Sequence, residues 1–329
     1  MKNIRLYIIL LILISIAAIY FFSNTKGTLN LRNAEFAIES VDEISKIQIS
    51  SQNQQLILEK KYGYWNVNQK YRANQKYVEN LLLAMNRVVV LSPVSNVEKE
   101  QIAAILKLDG TWVEIYKKNR IIKKYWVSKP GMNPSKTFMM MGKSESPFIV
   151  KIPAFNGLLS ELYIADENYW RDKTVFDYEP QNIKTITVEY PTLEKESFQL
   201  VNYNDGTFSI QNLTTKQFLE NFDVSKLARY FTYYQRISFE DIVRDMDQQM
   251  QDSVLNSVAF CRITVEDITE NVTKISFFRK APENKFDEFD HSVDYDFNRA
   301  YAVLNDNREL IIIQYYIFDP LFKEIDYFR

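Results

Sequence analysis

The sequence predicts an α+β protein in which one N-terminal transmembrane helix precedes two tandem, duplicated α+β modules with antiparallel sheets. Three observations carry this reading. The seventeen-residue run from Leu6 to Phe22 contains no charge. The strand-like triplet Ile44, Ile47, Ile49 returns as Ile183, Ile186, Val188. Each triplet is then followed by a similar succession of hairpin, helix and strand signals.

An apolar run of about 17 to 25 residues can cross a bilayer as a helix, because a helix satisfies its own backbone where there is no water. Lys2 and Arg5 precede the run, Lys26 and Arg32 follow it, and Tyr7 and Tyr20 lie near its ends, where amphipathic rings favour the interface. A cleaved signal peptide is the alternative, but the run ends in Ile19, Tyr20, Phe21 and Phe22 rather than in small residues. A short basic tail stays in the cytoplasm. The expectation is therefore a single-pass protein of the bacterial inner membrane, with residues 1–26 as cytoplasmic tip and signal anchor and the bulk of the chain exported to the periplasmic side. Cys261 is the only cysteine, so neither lipid attachment after the run nor an internal disulfide is available.

The first module is expected over residues 27–168. Ile44, Ile47 and Ile49 mark one strand, Leu56 and Leu58 a second, and Trp65 and Val67 a third beyond the Tyr62-Gly63-Tyr64 turn. Tyr77, Leu81, Leu82, Met85 and Val88 share a helical face, with Asn74 as cap. Ser95-Asn96-Val97-Glu98 has the capping-box pattern before a second helix through Ile102, Ile105 and Leu106. Strands resume at 113–116 and 121–127, and a short helix closes the stretch from Phe148 to Leu162.

The second module is expected over residues 182–329. Phe198 and Leu200, then Phe208 and Ile210 after Asp205-Gly206, repeat the hairpins. Leu227, Tyr230, Phe231 and Tyr234 repeat the first helix after Asp223. A second helix is expected from about Glu240 to Leu255, with strands at 263–265 and 275–278 and a closing stretch from Tyr301 to Ile325. Residues 169–181 join the modules, and Trp170, Arg171 and Asp172 are the interdomain hinge candidates, an aromatic and a charge pair able to pack and orient a joint.

With 46% hydrophobic and 14% aromatic residues, the chain can fill two cores without covalent staples. A net charge of -2 gives no electrostatic footprint for nucleic acid. The densest basic segment, Lys117, Lys118, Arg120, Lys123, Lys124 and Lys129, reads as a solvated hairpin, with contact to anionic headgroups as its alternative. The seven glycines are too far apart for a P-loop, a dinucleotide fingerprint or a G-x-S-x-G elbow. His291 is the only histidine, which removes multi-histidine metal sites. Cys261 sits in the strand-like VAFCRITVE and reads as an inert core residue. The acids Glu283, Asp287, Glu288, Asp290, Asp294 and Asp296 around His291 form the one cluster that could bind calcium or serve acid–base chemistry, and Asp290, Asp294 and Asp296 are its candidate ligands. Their spacing lacks an EF-hand glycine, and interleaved aromatics read as a solvated loop. Met139 to Met141 lie on a strand, where successive side chains point to opposite faces and their sulfurs do not converge on a metal.

The stretches LEKKYGYWNVNQKYRANQKYVENLL from Leu58, SPFIVKIPAFNGLL from Ser146, YWRDKTVF from Tyr169, FNRAYAVL from Phe297 and IQYYIFDPLFKEIDYF from Ile313 resemble an uncharacterised family of membrane-anchored bacterial envelope proteins, a domain of unknown function. The resemblance implies no catalytic residues and no cofactor. It does imply a role beside gliding-type ABC transporters, whose genes often adjoin those of the family. The function expected is thus a membrane-anchored, non-enzymatic binding or scaffold protein accessory to an ABC transporter or other envelope complex. A cation-dependent enzyme or calcium binder using residues 283–296 is one alternative, and an extracytoplasmic small-ligand sensor is another.

Overall fold

The computed structural model describes residues 11–16, 34–282 and 292–329. Two compact units divide between Asp172 and Lys173.

In the first unit, nine strands form one sheet: β1 (Lys46–Ser50), β2 (Gln55–Lys60), β3 (Trp65–Val67), β4 (Tyr71–Arg72), β5 (Val89–Pro93), β6 (Thr111–Lys117), β7 (Arg120–Val127), β8 (Thr137–Met141) and β9 (Phe148–Lys151). The order is β4-β3-β2-β1-β6-β7-β8-β9-β5 and every pairing is antiparallel. Burial follows the pleat. Ile47 and Ile49 on β1 are fully buried and lie opposite Ile115 and Val113 on β6. Helix α1 (Gln75–Arg87) starts where the Asn74 side chain accepts the Tyr77 N–H at 3.3 Å. It buries Val78, Leu81, Ala84 and Met85 in the main core. Helix α2 (Lys99–Asp109) packs Ala103 and Leu106 with Phe138 and Met140 in a separate cluster. Gly110 follows it because a Cβ there would collide with the Leu106 carbonyl. The short helix α3 (Glu167–Trp170) ends the unit.

In the second unit, β10 (Thr174–Phe176) pairs with β14 (Ile237–Ser238). The main sheet contains β11 (Ile183–Glu189), β12 (Phe198–Asn202), β13 (Phe208–Asn212), β15 (Asp241–Ile242), β16 (Cys261–Asp267), β17 (Val272–Arg279), β18 (Arg299–Leu304) and β19 (Leu310–Gln314). Its order is β13-β12-β11-β16-β17-β18-β19-β15, again antiparallel. Helix α4 (Val224–Thr232), capped by Asp223, buries Leu227, Tyr230 and Phe231 in the core. The Tyr234 hydroxyl donates to Tyr230 at 2.8 Å, and the Tyr230 hydroxyl donates to the Leu321 carbonyl at 2.7 Å, so these buried phenols are satisfied. Helix α5 (Gln248–Asn256) packs Val254 and Leu255 against a second cluster, and α6 (Tyr315–Phe318) follows β19 directly.

The structure corrects two expectations. The fold is not a balanced α+β arrangement: three antiparallel sheets dominate, and the helices are few and mostly short. The reason is the prevalence of period-two apolar alternation, which buries as strand. The helix expected from residue 240 to 255 thus begins as β15 and is helical only over Gln248–Asn256. Second, among the described residues no helix is long and apolar enough to cross a membrane, which overturns the transmembrane signal anchor and the single-pass inner-membrane placement built on it. Of the run from 6 to 22, only residues 11–16 are described, as helix, and the rest lies outside the described residues. The division between Asp172 and Lys173 falls within the expected joining segment 169–181, and Trp170, Arg171 and Asp172 lie on its first-unit side.

Two outcomes test this packing. Leu81→Ala should destabilise the protein by about 2 to 5 kcal/mol in urea unfolding, because Leu81 is fully buried. In the β16–β17 turn, Asp267 accepts the Thr269 hydroxyl at 2.7 Å and the Thr269 and Asn271 N–H groups at 2.8 and 3.0 Å. The Thr269 hydroxyl leads the bonds that hold the Asp267 carboxyl down at about 2. A folded-state value below the unfolded one of about 3.9 means that stability is present above that value and is lost as pH falls through about 2. The carboxyl carbon shift should titrate near 2, and Thr269→Ala should raise that midpoint.

Candidate functional site

The end of β17 carries Arg279 into a cleft of about 380 Å³ within the second unit. The ring of Phe260, just before the neighbouring strand β16, lies 4.2 Å from the guanidinium, and that of Tyr295 lies 4.0 Å from it. The Arg279 Nη1 donates to the Tyr315 hydroxyl of α6 at 2.7 Å. Phe260 is itself fixed, its backbone N–H donating to the Phe277 carbonyl at 2.9 Å and its ring packing edge-on to Phe322. Tyr295 meets Phe297 edge-on at 5.1 Å, and Phe297 is 62% exposed at the mouth of the cleft. The remaining wall carries Tyr190 and the exposed carboxylates Asp319 and Glu324.

Contact with two rings and the bond to Tyr315 restrict the rotamers of the arginine before anything binds, so its remaining donors are presented with little further ordering cost. Among the described residues Arg279 makes no ion pair, whereas its neighbour Lys280 is joined to Asp296 at 2.9 Å. The arrangement can take up a group that accepts hydrogen bonds and carries negative charge.

The candidate nucleophile nearby is sealed. Cys261 is fully buried beneath this region, and burial pushes its thiol far above the ordinary range, outweighing a hydrogen bond with Tyr190 that favours the thiolate. Of the acidic candidates, Asp290 lies outside the described residues, as do Glu283, Asp287, Glu288 and His291. Asp294 is exposed. Asp296 accepts the Asn298 and Arg299 N–H groups at 2.9 and 3.0 Å and so shapes the entry into β18. Burial raises the Asp296 carboxyl, but Lys280 and these N–H groups outweigh it and hold it below the usual range. Among the described residues no group of three or more histidine, cysteine or acidic side chains is placed to hold a metal ion. Met139 joins the main core of the first unit and Met140 the separate α2 cluster, so their sulfurs diverge.

The hinge candidates, next to the division at Asp172 and Lys173, make their contacts within the first unit. Trp170 is 1% exposed, donates its indole N–H to the Ile164 carbonyl at 2.7 Å and accepts the Asn74 N–H at 2.7 Å at the start of α1. The Arg171 guanidinium stacks 3.5 Å over Tyr71, and the Asp172 N–H donates to the Arg72 carbonyl at 2.8 Å. The basic hairpin of the first unit is compensated in part. Lys117 meets Glu43, Lys124 meets Glu114, Lys129 meets Asp109, and Lys123 donates to the Glu35 and Ala37 carbonyls. Lys118 and Arg120, at the turn, are exposed.

Arg279, Phe260 and Tyr315 were not legible as a group, since the cleft gathers them from three separated segments. One signal was available. The connection after β17 runs over residues 280–298, whereas its counterpart after β7 covers only 128–136, and the longer one supplies Tyr295 and Phe297.

Cys261 should resist maleimide labelling in the native protein and react fully once unfolded in guanidinium; rapid native labelling would refute the sealed-thiol geometry. Neither a protein-family model nor a curated protein sequence matches this chain.

Proposed function

We propose that this chain is a non-enzymatic binding protein that docks a protein partner through the Arg279 cleft of its second unit. The observation that carries the reading is an arginine flanked by two rings, which among the described residues donates only to the Tyr315 hydroxyl, beside the exposed Phe297. Arginine and aromatic residues concentrate at the energetic centres of protein interfaces. The sealed Cys261 and the Lys280-bound Asp296 are occupied with structure and support the same reading. The resemblance to envelope proteins encoded beside gliding-type ABC transporters makes transporter subunits the first partners to test, in an accessory role.

A photo-crosslinking amino acid placed at Phe297 in cells should yield one discrete protein adduct, identifiable by mass spectrometry. The same probe at Val97, 92% exposed in the first unit, should not yield it. No adduct at 297, or equal capture at 97, would remove the cleft as the docking face.

A further inference from the structure

We infer that the Arg279 cleft reads a single carboxylate on a peptide segment of the partner, with a basic side chain beside it. This rests on the partner-binding reading above and specifies the chemistry of what is bound.

The two sheets provide an internal comparison. β1 sets Ile49 opposite Val113, and Val113 lies opposite Tyr125 on β7; β11 sets Val188 opposite Ile263, and Ile263 lies opposite Ile275 on β17. In this register Val127, facing Thr111, corresponds to Phe277, facing Cys261. Two residues further on, Lys129 corresponds to Arg279. Two residues before the facing strand positions, Asp109 corresponds to Ala259.

In the first unit the cation at this place is neutralised internally, since Lys129 pairs with Asp109. In the second unit the carboxylate position is the fully buried Ala259, and rings take the space around the charge. The same place in the fold thus carries a cation with its own counter-ion in one unit and, in the other, a guanidinium that makes no ion pair among the described residues. A carboxylate from outside would complete the pair, and the guanidinium edge suits its planar geometry.

The other wall selects within that class. Asp319 and Glu324 repel a multiply charged phosphate, and they offer a partner for a cation next to the incoming acid. The aromatic rings provide apolar surface for the backbone and side chains between those two charges.

The test uses the full chain and two libraries of capped hexapeptides with randomised flanks, one with a fixed central Glu and one with Gln, read by fluorescence anisotropy. The Glu library should bind and be enriched in Lys or Arg next to the fixed residue, and the Gln library should bind at least ten-fold more weakly. Arg279→Gln should remove the difference between the libraries, and Arg279→Lys should weaken Glu binding several-fold. Asp319→Asn together with Glu324→Gln should abolish the enrichment of basic neighbours. Unchanged thermal unfolding and continued resistance of Cys261 to maleimide would show that the variants are folded. Equal binding of both libraries, no binding of either, or displacement of the peptide by inorganic phosphate at an ionic strength where chloride is inert would overturn the inference. A 297 adduct that persists in Arg279→Gln would sink this carboxylate assignment while leaving partner docking intact, whereas loss of the wild-type adduct would sink the docking itself.

Discussion

The pairing of β1 with β6 in the first unit, and of β11 with β16 in the second, is the contact on which the rest of each sheet depends. Between the two members of each pair the chain completes hairpins and two helices before it returns. Closing so long an excursion costs chain entropy. What offsets it is burial: Ile47, Ile49, Val113 and Ile115 in one unit, and Ile186, Val188, Ile263 and Val265 in the other, are fully buried. A slip of one residue in either pairing would turn these side chains to the opposite face, so the register is strongly specified.

That register also determines where chemistry can occur. β16 and β17 run antiparallel, so the start of one and the end of the other lie side by side. Cys261 at the start of β16 points into the core, while Phe260, one residue earlier, turns its ring to the guanidinium at the end of β17. Alternation thus buries the thiol and builds one wall of the cleft in two consecutive residues. The first unit has Thr111 and Gly110 in these places, and there Lys129 meets Asp109. Two sheets with a shared strand order therefore differ in chemistry through a few substitutions at one sheet end and a longer connection after β17.

Charge in this protein is handled mainly by local pairing. The lysines of the β6–β7 hairpin meet acids or backbone carbonyls, and Arg299 is held at 2.7 and 2.8 Å by both carboxylate oxygens of Glu240. Against that background a guanidinium bounded by rings and a hydroxyl stands out more than any acidic run does. The acids that attract notice in the sequence are distributed among loop-shaping hydrogen bonds, an exposed position and residues outside those described.

The sequence by itself determined the strand triplets, the Asn74 and Asp223 caps, the hairpin at Asp205-Gly206 and the absence of glycine-rich phosphate loops, because each of these depends on residues a few positions apart. It overstated the helices, since nothing local in 240–255 separates Asp241 and Ile242, which pair with β19, from the helix that starts at Gln248. It placed Trp170, Arg171 and Asp172 beside the division of the chain, while composition could not show that an indole finds the Ile164 carbonyl or that a guanidinium finds Tyr71. Only the tertiary structure brought Phe260, Arg279, Tyr295 and Tyr315 together. A cleft is defined by which strand ends are adjacent, and adjacency follows from long-range pairing that no local pattern records.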